Sequence, residues 1–180
     1  MSQIQTLTLI KYEWIHEAAA LLLEAFPHTW SNMEDAVEEI YGCLEEKKIA
    51  LVAIEDGHTV GFIGAMPQYG KTGWELHPLV VSKAHRGKDI GTNLVAVMEK
   101  EVLAHDGVMI YLGSDDEFGT TSLSNCDLFN DTYKRITNIT NLNNHPYEFY
   151  QKQGYKIVGV FPDANGIGKP DIWMAKRIKN

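Results

Sequence analysis

The sequence predicts an α+β domain built on one mixed, mostly antiparallel sheet with helices packed against it. Three observations predict it. Apolar residues recur at helical spacing in the first 45 residues. Two apolar runs, residues 49–54 and 59–65, flank Asp56-Gly57, a strong short hairpin signal because both turn positions need positive φ. Residues 74–112 then read strand, helix, strand at a length that implies two parallel strands joined by a right-handed crossover.

The elements follow in order after a short first strand. Residues 12–26 carry Ile15, Ala18, Ala19, Leu22 and Phe26 as one apolar stripe. Ser31 stands three residues before Glu34, a capping-box signature, ahead of a helix with Val37, Ile40, Tyr41 and Leu44 on one face. Its other face, with Glu34, Asp35, Glu38, Glu39, Glu45 and Glu46, reads as solvated. A strand at 74–81 leads to a helix over about 88–104 that turns Leu94, Val95, Met98 and Val102 inward. Asp106-Gly107 stops this helix, and residues 108–112 form the next strand.

Residues 113–144 are polar and too long for bare loop, so a short helix is expected within 127–136. His145-Pro146 opens another helix, with proline at its first position, and Gly154 ends it. Strands at 155–161 and 171–178 close the chain.

Composition bounds the function. With 180 residues, 44% of them hydrophobic, the chain is expected to fold as a single domain spanning 1–180. The net charge of −8 argues against nucleic acid as a partner and suits a cationic ligand. Two cysteines, Cys43 and Cys126, make neither a disulfide framework nor a metal-ligand spacing, so no metal is expected. Without a signal-peptide pattern or a membrane-length apolar run, the expected location is the cytoplasm, with no membrane partner.

Chemistry concentrates in two segments. Pro78 inside the 74–81 strand cannot donate to a ladder, so a bulge is expected there, leaving backbone groups of Leu79, Val80 and Val81 for an extended ligand. The run Arg86-Gly87-Lys88-Asp89-Ile90-Gly91-Thr92 then opens a helix whose N–H groups form an anion site.

This run resembles the pyrophosphate loop of the GNAT acetyltransferases, Arg/Gln-x-x-Gly-x-Gly/Ala, with Asp89 where the family has glycine. Phe149-Tyr150 through Gly154-Tyr155 is similar to the family's later helix-to-strand motif. The segments 67–70, 73–81, 111–116, 145–150 and 169–176 resemble aminoglycoside 6'-N-acetyltransferases, especially the compact type Ii subgroup.

The resemblance implies a GNAT fold with a splayed parallel strand pair, acetyl-CoA as co-substrate, a homodimer, and acetylation of the 6'-amine of an aminoglycoside. It points to Glu75 as the group that binds the amine and helps remove its proton. It also points to the Leu79 N–H as an oxyanion donor and to Tyr150 as the partner of the departing thiolate.

His77, two residues from Glu75 on the same strand face, is a second candidate base or a core histidine shaping the bulge. Asp115 and Asp116 are candidate carboxylates for a polyamine sugar, although Asp115 could instead cap a turn, and Phe26, Trp30 and Tyr69 are candidate aromatic walls. A polyamine, an amino acid or a protein amine would suit the same acidic loop. A CoA-binding module without catalysis is the rival from another class, and retention of Glu75, His77 and Tyr150 speaks against it.

Overall fold

The computed structural model describes residues 2–179. They cluster into two compact units, one running to Ile110 with Ile178 and Lys179 added, the other Tyr111–Arg177.

In the first unit, β1 (Gln3–Thr6), β2 (Ile49–Glu55), β3 (His58–Tyr69) and β4 (Gly73–Val81) pair antiparallel in that order. The expected hairpin joins β2 to β3, with Asp56 at φ 51 and Gly57 at φ 87. β2 is buried from Ile49 to Ile54, as a strand covered on both faces must be. Helices α1 (Tyr12–Ala25) and α2 (Met33–Cys43) bring Ile15, Ala18, Leu22, Ala36 and Ile40 onto Val52, Phe62 and Val80. On the other face lies α3 (Ile90–Ala104), whose Leu94, Val95, Met98 and Val102 are buried as expected. Gly61 makes that approach possible, since a Cβ there would stand 3.1 Å from Leu94 and 3.2 Å from Ile90.

The α2 cap differs from the expectation. Asn32, not Ser31, is the N-cap; its side chain accepts from the Asp35 N–H at 2.9 Å, while the Ser31 hydroxyl donates to the Asp35 carboxylate at 2.7 Å. The cap sits one residue later than the capping-box spacing suggests because asparagine competes for the same role.

After the α3 crossover, the N–H groups of Val108 and Met109 donate to the Thr72 carbonyl at 2.8 and 3.1 Å. The strand β5 (Met109–Asp115) therefore starts beside the start of β4 and in the same direction, the one parallel pair among the described residues. The α+β class expected from the sequence is the class found.

The second unit contains α4 (Thr132–Thr137), α5 (Tyr147–Lys152) and the antiparallel pair β6 (Lys156–Phe161) and β7 (Asp171–Arg177). The expected helix within 127–136 is shorter and later than read, and Pro146 is the N-cap of α5 rather than its first residue. Gly154, at φ 90, ends α5 as expected. The polar stretch is folded back on itself: Thr121 bridges Asn141, and Leu142 N–H donates to the Thr120 carbonyl at 2.8 Å.

Candidate functional site

The bulge expected at Pro78 is present. Ile63 opposes Leu79 while Ala65 opposes Leu76, so Gly64 on β3 faces both His77 and Pro78. Gly64 has no room for a side chain; a Cβ would stand 2.4 Å from the His77 carbonyl oxygen. Ile63 and Ala65 share a sheet face, so Leu76 and Leu79, three residues apart, share it too. The bulge thereby puts Glu75 and His77 on the α2 face of the strand and Leu79 and Val81 on the α3 face.

On the α2 face, Glu75 is half-buried and accepts a 2.8 Å hydrogen bond from Nε2 of Gln68. Gln68 is itself the extra residue of a second β3 irregularity, between Pro67 and Tyr69. Gln68 lies in the 67–70 segment, but nothing local in the sequence marks it as a partner of Glu75. The exposed His77 ring has its Nε2 3.8 Å from Oε1 of Glu39 and its centroid 6.3 Å from that of Trp30. Trp30 is buried and meets Phe26 edge-on at 5.6 Å; Phe26, expected within an apolar stripe, is 38% exposed. Tyr69 is exposed on this same face, pairing with Gly73, where a Cβ would stand 2.9 Å from the Tyr69 ring.

On the α3 face, a single 3₁₀ turn (Lys83–His85) leads into the loop. Arg86, Gly87, Lys88 and Asp89 are exposed, while Ile90 is buried and Gly91 and Thr92 are half-buried in the first turn of α3. Gly87 is at φ 76 with nothing within 4 Å of a would-be Cβ. Asp89 is at φ 57, the left-handed region that glycine enters freely and aspartate tolerates. Its side chain does not cap α3, so the first-turn N–H groups remain directed out of the helix. This geometry fits a pyrophosphate. One expectation is narrowed: the Val81 carbonyl accepts from Nε of Arg86 at 3.2 Å, so it is already in use.

In the second unit, Asp115 and Asp116 are adjacent but differ in kind. Asp115 is exposed, and its Oδ1 accepts from the Asn165 side chain at 2.5 Å. Asp116 is 1% exposed. Its Oδ1 accepts from the N–H and hydroxyl of Thr120, and its Oδ2 from the N–H and hydroxyl of Thr121 and from Ser124. Burial pushes the Asp116 carboxyl up, but these donors outweigh it and hold it at about 2. Its carboxylate organises its own loop.

His145 is also committed. Its Nε2 lies 3.1 Å from the Asp115 carbonyl and its Nδ1 accepts from the Tyr147 N–H at 3.2 Å, so the neutral Nε2–H tautomer satisfies both. Burial lowers its proton affinity in agreement. Tyr150 lies on the buried side of α5, its ring edge-on to Phe149 and Tyr155. Burial pushes its phenol well above the usual range, so it keeps its proton at neutral pH.

The bulged strand thus carries a half-buried carboxylate and a histidine on one face and leads into a glycine-containing loop and helix N-terminus on the other. The profile of the acetyltransferase (GNAT) family matches residues 15–123. The chain belongs to the GNAT acetyltransferase family. This GNAT chain is 46% identical to an aminoglycoside 6'-N-acetyltransferase whose crystal structure is complexed with coenzyme A, at a TM-score of 0.95 over 99% of this chain and 98% of that one. It is also 46% identical to the aminoglycoside 6'-N-acetyltransferase from Enterococcus faecium, at a TM-score of 0.93 over the same shares. To an aminoglycoside 6'-acetyltransferase type Ii it is 41% identical, at a TM-score of 0.79 over 99% and 98%. No curated protein sequence matches the chain. It is a transferase, and as a GNAT acetyltransferase it takes its acetyl group from acetyl-CoA. Among the described residues, no helix is long and apolar enough to cross a membrane.

Proposed function

We propose that the chain moves the acetyl group of acetyl-CoA to the 6'-amine of aminoglycosides, inactivating the antibiotic. The observation that carries this reading is Glu75. It is a half-buried carboxylate oriented by Gln68, on the face where His77, Trp30 and Tyr69 also lie.

Acetyl-CoA supplies an activated acetyl group as a thioester. Arg86, Lys88 and the backbone N–H groups of Gly87 to Thr92 would bind its pyrophosphate, with Asp89 contributing its backbone. Leu79, Val80 and Val81 would flank the rest of the co-substrate, and the Leu79 N–H would donate to the carbonyl oxygen as negative charge develops there.

The acceptor must lose a proton before its nitrogen has a lone pair. Glu75 would bind the ammonium and take that proton directly or through water, with His77 as the second candidate base. The amine then attacks the acetyl carbon directly, forming the C–N bond as the C–S bond breaks. Tyr150, which keeps its phenolic proton, would donate to the departing thiolate. Phe26, Trp30 and Tyr69 are the apolar walls for the sugar rings, and Asp115 is the exposed carboxylate for a second amine. Asp116 is left out of the acceptor site, because its loop already uses both oxygens.

The chain would work in the cytoplasm as one catalytic domain and as a homodimer. The second unit exposes the large apolar side chains of Phe118, Phe129, Tyr133, Val158, Phe161 and Ile167, which are available to a dimer interface. Acetyl transfer measured across kanamycin-type sugars, spermidine and lysine peptides tests the acceptor. Turnover on the polyamine or peptide alone would sink the aminoglycoside reading. Sedimentation that returns a monomer at micromolar concentration would sink the dimer.

A further inference from the structure

The acidic face of α2 is not uniform. Glu34, Asp35 and Glu38 on the helix, and Glu45 and Glu46 just beyond it, are exposed, whereas Glu39 is half-buried with its side chain 28% exposed. Glu39 turns toward β4, and the contacts of its carboxylate are Nε2 of His77 at 3.8 Å and the Cys43 thiol at 3.9 Å. Neither is a close hydrogen bond, and burial, with Glu39 beside it, pushes the thiol up to about 12, so it offers only a weak neutral donor. A carboxylate partly withdrawn from water gains from a strong donor. None of the exposed acidic neighbours on α2 is placed this way.

Glu39 and His77 also border the apolar wall, since the His77 ring lies 6.3 Å from that of Trp30. Two strand positions from His77, on the same face, stands Glu75. This face thus carries two carboxylates, Glu75 on β4 and Glu39 on α2, with His77 two strand positions from the first and 3.8 Å from the second. A polycation with several amines offers an ammonium to each carboxylate.

We propose that Glu39 is a specificity-determining residue: it binds an ammonium group of the acceptor other than the one acetylated, with His77 beside it. This rests on the reading of the acceptor as an aminoglycoside. An ammonium seated there donates to Oε1 of Glu39 and supplies the strong donor that the protein does not.

The test compares wild type with Glu39→Gln and Glu39→Asp on kanamycin B, measuring kcat, both KM values and urea stability. Loss of one charge-assisted hydrogen bond predicts a rise of about tenfold or more in the kanamycin KM. The acetyl-CoA KM and the stability should stay unchanged, and aspartate should recover part of the loss. The same glutamine substitution in a His77→Ala background separates binding from mere positioning of the imidazole. A loss that persists there supports the ammonium site; a loss that vanishes overturns it, because Glu39 would then act only through His77. A kanamycin KM within about twofold of wild type also overturns it while leaving the acetyltransferase reading intact. Failure of the wild type to acetylate any aminoglycoside defeats that reading and this inference together.

Discussion

Replacing Asp116 by asparagine is the sharpest test of how the loop after β5 is held. The buried carboxylate receives the Thr120 N–H and hydroxyl on Oδ1 at 2.7 and 2.8 Å. Oδ2 receives the Thr121 N–H at 2.8 Å, the Thr121 hydroxyl at 2.7 Å and the Ser124 hydroxyl at 2.5 Å. An amide keeps one acceptor oxygen and turns an NH₂ toward the other set of donors. The hydroxyls can rotate and accept instead, but a backbone N–H cannot, so one buried N–H is orphaned at a cost of about 1–3 kcal/mol. A second route gives the same magnitude: a carboxyl held at about 2 against an ordinary 3.8 corresponds to about 2 kcal/mol of stability at neutral pH.

Asp116→Asn should therefore lower the unfolding free energy in urea by about 2 kcal/mol and speed amide exchange at Thr120 and Thr121. The folded value lies below the unfolded one, so this stabilisation is fully present above 3.8 and is lost as pH falls through about 2. Asp115→Asn is the control. Its exposed side chain predicts little change in stability and a raised aminoglycoside KM that is most evident at low salt. An Asp116→Asn protein within about 0.5 kcal/mol of wild type, with unaltered exchange, would refute the reasoning.

Three further outcomes are expected. Glu75→Gln should lower kcat by roughly 10²–10⁴ with little change in the acetyl-CoA KM, and steady-state kinetics returning an unchanged kcat would remove Glu75 as the base. Asp89→Gly relieves a left-handed aspartate at φ 57 and removes a carboxylate beside the pyrophosphate loop. It should add up to about 1 kcal/mol of stability and lower the acetyl-CoA KM, and an unchanged KM by calorimetry or kinetics counts against the loop assignment. Glu17 accepts from the Thr59 N–H and pairs with His58, both at 2.7 Å, which ties α1 to the start of β3. Burial raises the Glu17 carboxyl but the His58 and Thr59 bonds bring it below 4.5, while Glu17 raises His58 above 6.5. The Glu17 share is lost as pH falls through its lowered value and the His58 share as pH rises through its raised one. The Tm difference between wild type and Glu17→Gln should therefore be largest between 4.5 and 6.5; a difference that grows above neutral pH would contradict the pairing.

Much of this was legible in the sequence because it rests on local rules. Asp56-Gly57 sets its own turn, Pro78 sets its own bulge, and the stripe of Leu94, Met98 and Val102 sets the inner face of α3. What was not legible depends on partners distant in sequence. Nothing local separates Asp115 from Asp116; only the return of Thr120, Thr121 and Ser124 decides that one carboxylate faces outward while its neighbour is saturated. Glu39 is likewise one of several acidic residues on its helix until β4 brings His77 beside it. The N-cap of α2 was misplaced by one residue because Ser31 and Asn32 are both good caps, and the hydrogen bond from Asp35 decides between them.

The bulge at His77-Pro78 lets one short strand serve both of the proposed binding tasks. In a regular strand, alternate residues keep to one face, so Glu75, His77, Leu79 and Val81 would all point the same way. The extra residue opposite Gly64 reverses the phase, leaving Glu75 and His77 with α2 and giving Leu79 and Val81 to the face of α3. Each half then finds its own support: Gln68 orients Glu75, and Gly61 lets α3 approach closely enough to set the Arg86–Thr92 loop at the strand's end. Both glycines are fixed by close contacts rather than by turn geometry, since neither has a positive φ. Seven consecutive residues thus carry Glu75 at one end and lead into the Arg86–Thr92 loop at the other, the two halves of the proposed site. The phase reversal between them is what the bare position at Gly64 makes room for.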